Sequence, residues 1–411
     1  MSRRSFLRKL GLGVAALPLA SRASAGSRPT KNNRPLLKLG VLVPDSPRYP
    51  LMADNFLDGL RLSIGSHQAI QTHEIELFIE RYQPGRNELK HKATKLAEYH
   101  QVDMMTGLVS GHDGFKIKPI VEPREILFLE NTLGEVIQSK VPESTCMYSN
   151  SLHLWNSAYL SGSWAVKHLG NTCLIATSFY DSGFANVAAF RKGYEEAGGM
   201  VLQTHVTNMT DNDDFGALFS DIKQLQPDFV VGHYSGNEAI GFVHSYRHQG
   251  VAIPLLGSGL MCSDANLQVQ GSSADAIVSM CSWTRTLDNE VNYSFVDNFE
   301  TTHRRIADVY SVLGFESGQL FRSALSKLSK HPTTDDLIKA FATVTIDSPR
   351  GALKMQDQHI LSPIYLKKVK QRNGFYLEEV TDQFALLDAD HSSIDELRSS
   401  IQSGWTNPYM T

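Results

Sequence analysis

Cysteine, long apolar runs and excess charge of either sign are all scarce in this 411-residue chain, and each scarcity removes a class of protein. The four cysteines, Cys146, Cys173, Cys262 and Cys281, form no CxxC pair. They read as buried free thiols, with a Cys262–Cys281 bridge as the alternative that spacing alone leaves open. Beyond the N-terminus no segment reaches about 18 uninterrupted apolar residues, so no transmembrane helix is expected. A formal charge of −4 argues against nucleic acid or an anionic lipid surface as partner, since both demand a basic face. Catalytic signatures are missing too. Gly257-x-Gly259 lacks the rest of a dinucleotide fingerprint, and no lysine sits in a Gly-rich phosphate loop. Ser182-Gly183 and Ser258-Gly259 do not build a G-x-S-x-G elbow. His244 and His248 share a helix face at i, i+4, but without a third ligand they read as an exposed face rather than a metal site. No enzyme activity, metal or cofactor is expected.

The first 25 residues carry the clearest positive signal. Ser2-Arg3-Arg4-Ser5-Phe6-Leu7 opens a basic region, Leu10–Ala20 is a short apolar core, and Ala23-x-Ala25 offers small side chains for cleavage. The order matches a twin-arginine export signal, an address rather than an anchor. No cysteine follows to take a lipid. The mature chain is therefore expected from Gly26 onward, opening with a polar linker over 26–35, in the periplasm of a bacterium. That length suits two lobes better than one core. With 42% hydrophobic and 20% charged residues, it has an ordinary globular composition.

From Leu36 the chain alternates strand-like and helix-like patterns. Leu36–Pro44, Ile75–Ile79, Asp103–Leu108 and Glu125–Leu129 read as short buried strands, with helices over Asp54–Ile64 and Leu89–His100. The rhythm returns in Cys173–Thr177, Asn186–Ala197, Met200–His205, Phe215–Leu225, Phe229–Gly232, Ala239–His248 and Ile253–Leu256. Such alternation implies α/β architecture with parallel sheets, whose ligands bind beyond the carboxyl ends of strands. Asp288–Lys330 is helical in pattern, and Thr381–Thr411 is a polar tail with a helix-like patch at Ser393–Ile401.

In this order the elements resemble the type I periplasmic solute-binding proteins of branched-chain amino-acid, urea and amide ABC transporters. Leu39-Gly40-Val41-Leu42-Val43-Pro44 with Phe56-x-x-Gly59-x-x-Leu62 is similar to the family's first strand and helix. Asp103–Gly111, Phe184–Gly199 and Pro227–Val231 are similar to later strands and helices, and Ser348–Met355 through Pro363–Leu366 to its closing hairpin. The resemblance spans Leu36 to Lys370 and implies two Rossmann-like lobes joined by a three-strand hinge. It places crossovers near Tyr148–Ser151, Ser282–Arg285 and Thr345–Ser348. Lobe one would comprise 36–147 plus 286–344, lobe two 149–283 plus 347–380, and 381–411 a C-terminal extension.

The same resemblance nominates ligand residues in loops after strands. Val109, Ser110 and Gly111 offer a hydroxyl and a closely approachable backbone, or simply a strand-to-helix turn. Asn131 and Thr132 offer mixed donors and acceptors, or an Asn turn with a helix cap. Tyr49 is a candidate wall, while Arg48 beside it either meets an anion or stays solvated. Tyr180, Asp181 and Ser182 come from the second lobe, with Ser182 where the family commonly stacks an aromatic. Tyr234 is the favoured aromatic wall, and Gly259 lies in the last loop. Amino-acid-binding members carry a glutamate there, but Ser258–Cys262 holds no acid. That departure weakens an α-amino acid as solute and strengthens an apolar, amide-like or carboxylate one. The resemblance implies a monomeric extracytoplasmic receptor that delivers a small solute to an inner-membrane ABC permease. A sensory module for a membrane receptor is the alternative, and an exported enzyme the weaker one.

Overall fold

A computed structural model describes residues 35–65, 69–70, 73–84, 87–110, 113–134, 144–181, 185–207, 215–329 and 332–385. The export signal, most of the linker, Gly111, Ser182 and residues 386–411 lie outside these. The first half runs β1 (Leu36–Pro44), α1 (Met52–Ile64), β2 (Ala69–Ile70), β3 (His73–Tyr82), α2 (Glu88–Thr94), β4 (Met104–Leu108), α3 (Asp113–Val121), β5 (Leu127–Thr132) and β6 (Met147–Ser151). There follow α4 (Leu154–His168), β7 (Thr172–Ser178), α5 (Ala185–Glu196), β8 (Met200–Thr207), α6 (Gly216–Leu225), β9 (Phe229–His233), α7 (Gly236–His248), β10 (Leu255–Gly257), α8 (Asp264–Gln270) and β11 (Val278–Cys281). The chain closes with α9 (Glu290–His303), α10 (Val309–Leu325), α11 (Thr334–Phe341), β12 (Thr345–Ser348), β13 (Gly351–Gln356), β14 (His359–Leu361), β15 (Ile364–Arg372) and β16 (Phe375–Phe384).

Among the described residues these strands form two sheets, ordered β12-β13-β14-β6-β5-β4-β1-β3-β2 and β16-β15-β11-β10-β9-β7-β8. The central strands pair in parallel, β1 with β3 and β4 in one sheet, β7 with β8 and β9 in the other. Helices cover both faces, which is why β4, β5 and β9 are buried at every position and open on apolar residues, with Glu130, Asn131 and His233 buried toward the strand ends.

Each lobe is fastened by one close helix crossing. In lobe one, a Cβ on Gly59 of α1 would collide with the Ser311 carbonyl of α10, and one on Gly314 with the Phe56 carbonyl. In lobe two, Gly162 of α4 and Gly193 of α5 stand in the same relation to the Phe190 and Tyr159 carbonyls. Only hydrogen at these four positions lets the helix backbones meet.

The chain passes between the sheets three times: after β6, after β11 and after β14. The first leaves from Ser151 and the second from Cys281. The third corrects the expectation, because β12, β13 and β14 all pair in the first sheet. Ser348 pairs with Gly351, whose φ of 102° closes a tight Pro349–Arg350 turn, so this segment folds back instead of crossing. The passage comes at Ser362–Pro363, and β15 then pairs antiparallel with β11. Residues 347–361 therefore belong with lobe one. Thr381–Phe384, expected to start the extension, complete β16 against Ile364–Leu366. The four cysteines are buried and free, which settles the Cys262–Cys281 alternative against a bridge. No helix among the described residues is long and apolar enough to cross a membrane.

Candidate functional site

Loops at the carboxyl ends of the parallel strands face one another across the two lobes. After β1, Pro44 ends the strand, and Arg48 and Tyr49 reach across to lobe two. The Tyr49 hydroxyl donates to Ser235 Oγ at 2.7 Å, and Ser235 Oγ in turn donates to Asp181 Oδ1 at 3.0 Å. Gly236, which follows Ser235, has φ of 55°, and a Cβ there would touch the Tyr49 ring. Arg48 Nη1 donates to Glu238 Oε2 at 2.7 Å, and its guanidinium lies 3.8 Å over the centre of the Tyr180 ring. These contacts hold the lobes shut along this edge.

Beside them lies a cavity of about 430 Å³ walled from both lobes. Lobe one supplies 48–52, Asn55 and the 305–310 loop before α10; lobe two supplies 235–237, 259–260, 263–266, Gln268, Lys367 and Glu378. Trp283 and Thr284 enter from the second passage. Leu51, Met52, Leu260, Ile306, Val309 and Tyr310 make much of the wall apolar. The 305–310 loop is set by a capping box, in which Asp308 accepts from Ser311 N at 2.8 Å while Ser311 Oγ returns to the Asp308 backbone. Asp308 also accepts from Asn55 Nδ2 at 2.7 Å, which ties α1 to this loop. Lys367 Nζ meets Glu378 Oε2 at 2.6 Å and the Gly259 carbonyl at 3.3 Å. Burial is the largest single influence and works against the ammonium, yet the Glu378 charge and hydrogen bond together with the neighbouring Cys281 and Cys262 outweigh it and keep Lys367 above its ordinary pKa. Asp264, at the start of α8, moves the other way: burial first, then Glu378, push its carboxyl up to about 7.

Of the residues nominated from sequence, Tyr49 and Gly259 line this cavity. Tyr180 and Asp181 lie at its closed edge, one beneath Arg48 and the other beneath Ser235. The remainder of the described ones have other work. Val109 packs in the lobe-one core, and Ser110 Oγ donates to Asp113 Oδ2 at 2.8 Å at the start of α3. Asn131 is wholly buried, donating to Thr106 Oγ1 and the Gly107 carbonyl and accepting from Asn150 and Ser317. Thr132 is buried with it. Tyr234 corrects the aromatic-wall expectation: its ring stacks on Phe242 at 4.2 Å within the lobe-two core, 1% exposed. Gly111 and Ser182 lie outside the described residues. His244 bonds Ser273, and no metal-binding group of three side chains occurs among the described residues.

Sequence reasoning missed Asp264, Trp283, Lys367 and the 305–310 loop. Asp264 stood two residues past the Ser258–Cys262 segment searched for an acid. The others arrive through the second and third passages, where order along the chain gives no hint of proximity. The three passages meet at one side chain. Arg350 Nη1 donates to the Ser151 carbonyl at 2.6 Å and to Ser282 Oγ and Ser362 Oγ at 3.3 Å each.

Two sheets flanked by helices, three passages and a cavity shared by the lobes define a bilobed binding protein. The periplasmic binding protein family model matches residues 37–374, and the chain belongs to that family. Solved structures agree on the fold. An ABC transporter substrate-binding protein from Sphaerobacter thermophilus superposes with a TM-score of 0.78 at 23% identity, covering 86% of this chain and 99% of the other. A solute-binding protein from Rhodopseudomonas palustris BisB5, in complex with 3,4-dihydroxybenzoic acid, gives 0.75 at 19% identity, covering 87% and 99%. A leucine-binding protein from Thermotoga maritima gives 0.68 at 15% identity, covering 85% and 99%. Comparison with curated proteins gives no match.

Proposed function

We propose that this protein captures a small amphipathic solute between its lobes outside the cytoplasmic membrane and delivers it to an ABC importer. The observation that carries this reading is the cavity of about 430 Å³, walled by both lobes and continuous with the Arg48–Glu238 and Tyr49–Ser235 contacts that close them. Its volume lies within the range of small-molecule sites, and its walls combine apolar surface with a few placed polar groups. Capture and release need hinge motion rather than bond chemistry. Family membership supports the extracytoplasmic setting, and Ser2–Leu7 with Ala23–Ala25 supports export through the twin-arginine route. The partners on this reading are the solute and an inner-membrane permease, with the receptor acting as a monomer and without a cofactor. Tyr49, Gly259, Tyr180 and Asp181 are the nominated residues that frame the site.

The solute class is narrowed by the relatives only in outline: one solved structure holds a dihydroxybenzoate, and another is described as leucine-binding. Thermal denaturation of the mature protein against amino acids, amides, urea, short carboxylates, aromatic acids and amines tests the reading. A solute that binds the native state alone raises Tm once its concentration passes Kd. A concentration-dependent rise with one class supports capture. No rise with any class, in protein freed of copurified solute, overturns it.

A further inference from the structure

Charged side chains around the cavity are nearly all paired. Arg48 is bound to Glu238, Arg305 to Asp58 and Lys367 to Glu378. The Asp308 carboxylate is taken by Ser311 N and Asn55. Asp264 differs: it lines the cavity, yet accepts no hydrogen bond and joins no ion pair among the described residues. A second acceptor, Asn55 Oδ1, is also without a partner there, on a side chain 3% exposed. Every cation on the wall is thus already engaged by a carboxylate, Arg305 through an Asp58 that it shares with Arg61 and His303, while Asp264 and Asn55 Oδ1 are acceptors without a donor among the described residues. An unpaired buried acceptor is costly until a donor meets it, and a charged donor meets a carboxylate best. An entering anion would meet the unpaired Asp264, with the cations of the wall already held by other carboxylates.

We infer that the cavity selects a solute carrying a protonated amine on a compact apolar body, with Asp264 as its counter-ion. The inference rests on reading this cavity as the solute site. The charged groups that act on Asp264 are Glu378 and Glu300, both repelling its charge, and Lys367 and Arg285, both favouring it. Each of those acids is bound to one of those bases, Glu378 to Lys367 and Glu300 to Arg285, so neither base is free to serve Asp264. The raised carboxyl, near 7, means that some Asp264 is protonated in neutral buffer. An arriving ammonium favours the ionised form and displaces that proton. Amine binding therefore tightens from pH 6 to pH 8 and releases protons to the buffer.

Two matched pairs of probes separate amine from carboxylate on the same apolar body: isoamylamine with isovalerate, and benzylamine with benzoate. Calorimetric titration at pH 6 and pH 8, in buffers of different ionisation heat, reads affinity and proton release together. The expected result is amine binding that strengthens with pH, releases protons, and weakens about tenfold or more in Asp264→Asn. The wild-type pH and buffer series stands without the variant, should Asn destabilise the fold. Carboxylates binding as tightly as their amine partners, or amine affinity unchanged in Asp264→Asn, would overturn the inference while leaving solute capture intact. Silence from both pairs with a response from another class also overturns the inference alone. Silence across every class overturns both.

Discussion

The Arg350 guanidinium meets both carboxylate oxygens of Glu316, at 2.8 and 2.7 Å, and neither side chain has any exposed surface. Glu316 lies on α10 of lobe one, while the remaining Arg350 donors hold Ser151, Ser282 and Ser362 where the chain passes between lobes. Asn150 completes the set, accepting from Arg350 Nη2 at 2.6 Å and donating to Glu316 Oε2 at 3.0 Å. The hinge thus has a buried charged core in which every partner is satisfied.

Removing one member leaves the other charged, buried and unpaired. Arg350→Met is expected to lower unfolding free energy by about 3–5 kcal/mol. Replacing the pair together, Arg350→Met with Glu316→Leu, is expected to recover part of that loss. Urea denaturation of both variants measures the difference. A single-variant loss below about 1 kcal/mol would mean the pair does not hold the hinge.

Closure between the lobes draws on Arg48 and Glu238, whose side chains are 18% and 15% exposed. Glu238→Gln removes the charge and keeps the shape. Small-angle scattering of the solute-free protein should show a larger radius of gyration as the open population grows. Affinity for a solute found in the thermal screen should weaken by about two- to fivefold, since a partly screened pair contributes under about 1 kcal/mol. Identical scattering and affinity in the variant would place closure elsewhere.

Tyr234 shows how far sequence reasoning carries. The apolar strands β1, β4, β7 and β9 were legible because burial on both faces leaves a continuous apolar run. The residue just past β9 was not, because sequence alone does not say whether a side chain at a strand end turns toward the cleft or into the lobe. Its ring stacks on Phe242 and its hydroxyl lies 3.3 Å from Thr207 Oγ1. Asn131 had the same ambiguity and joins Asn150 and Ser317 inside. Conversely Asp264 was overlooked because the search for an acid stopped at Cys262. The third passage was misplaced because Gly351, which turns β12 back onto β13, looks like any Gly after Pro. Tyr234→Ala should therefore cost about 3–5 kcal/mol of stability, and Tyr234→Phe only about 1. Chemical denaturation separates the two; a Tyr234→Ala variant of native stability with weakened solute binding would return the residue to the cleft wall.

The glycine crossings predict a matched pair of failures. Gly314→Ala would force α10 away from the Phe56 carbonyl, and Gly162→Ala would force α4 away from the Phe190 carbonyl. Backbone on the other side cannot yield as a side-chain tip does, so each should cost about 1–3 kcal/mol or more. Differential scanning calorimetry of the two variants reads the loss. A Tm unchanged in both would show that the helices separate without penalty.

His153 sits at the first passage with φ of 53°, its Nε2 2.9 Å from the Ile360 carbonyl. Burial, reinforced by the Arg350 charge, lowers its pKa from 6.5 to about 3. The folded state therefore refuses a proton that the unfolded chain accepts below pH 6.5. Stability from this group is complete above that value and is lost as pH falls toward 3, at about 1.4 kcal/mol per pH unit. Asp264 opposes it, since a carboxyl raised from 3.8 to about 7 binds its proton more readily when folded and gains stability as pH falls through that window. Wild-type stability alone mixes the two. His153→Asn removes only the first and keeps a residue that tolerates the left-handed backbone. The difference in unfolding free energy between wild type and His153→Asn should shift steadily against the wild type as pH falls from 6.5 to 4. Parallel curves over that range would show that His153 titrates alike in the folded and unfolded chain.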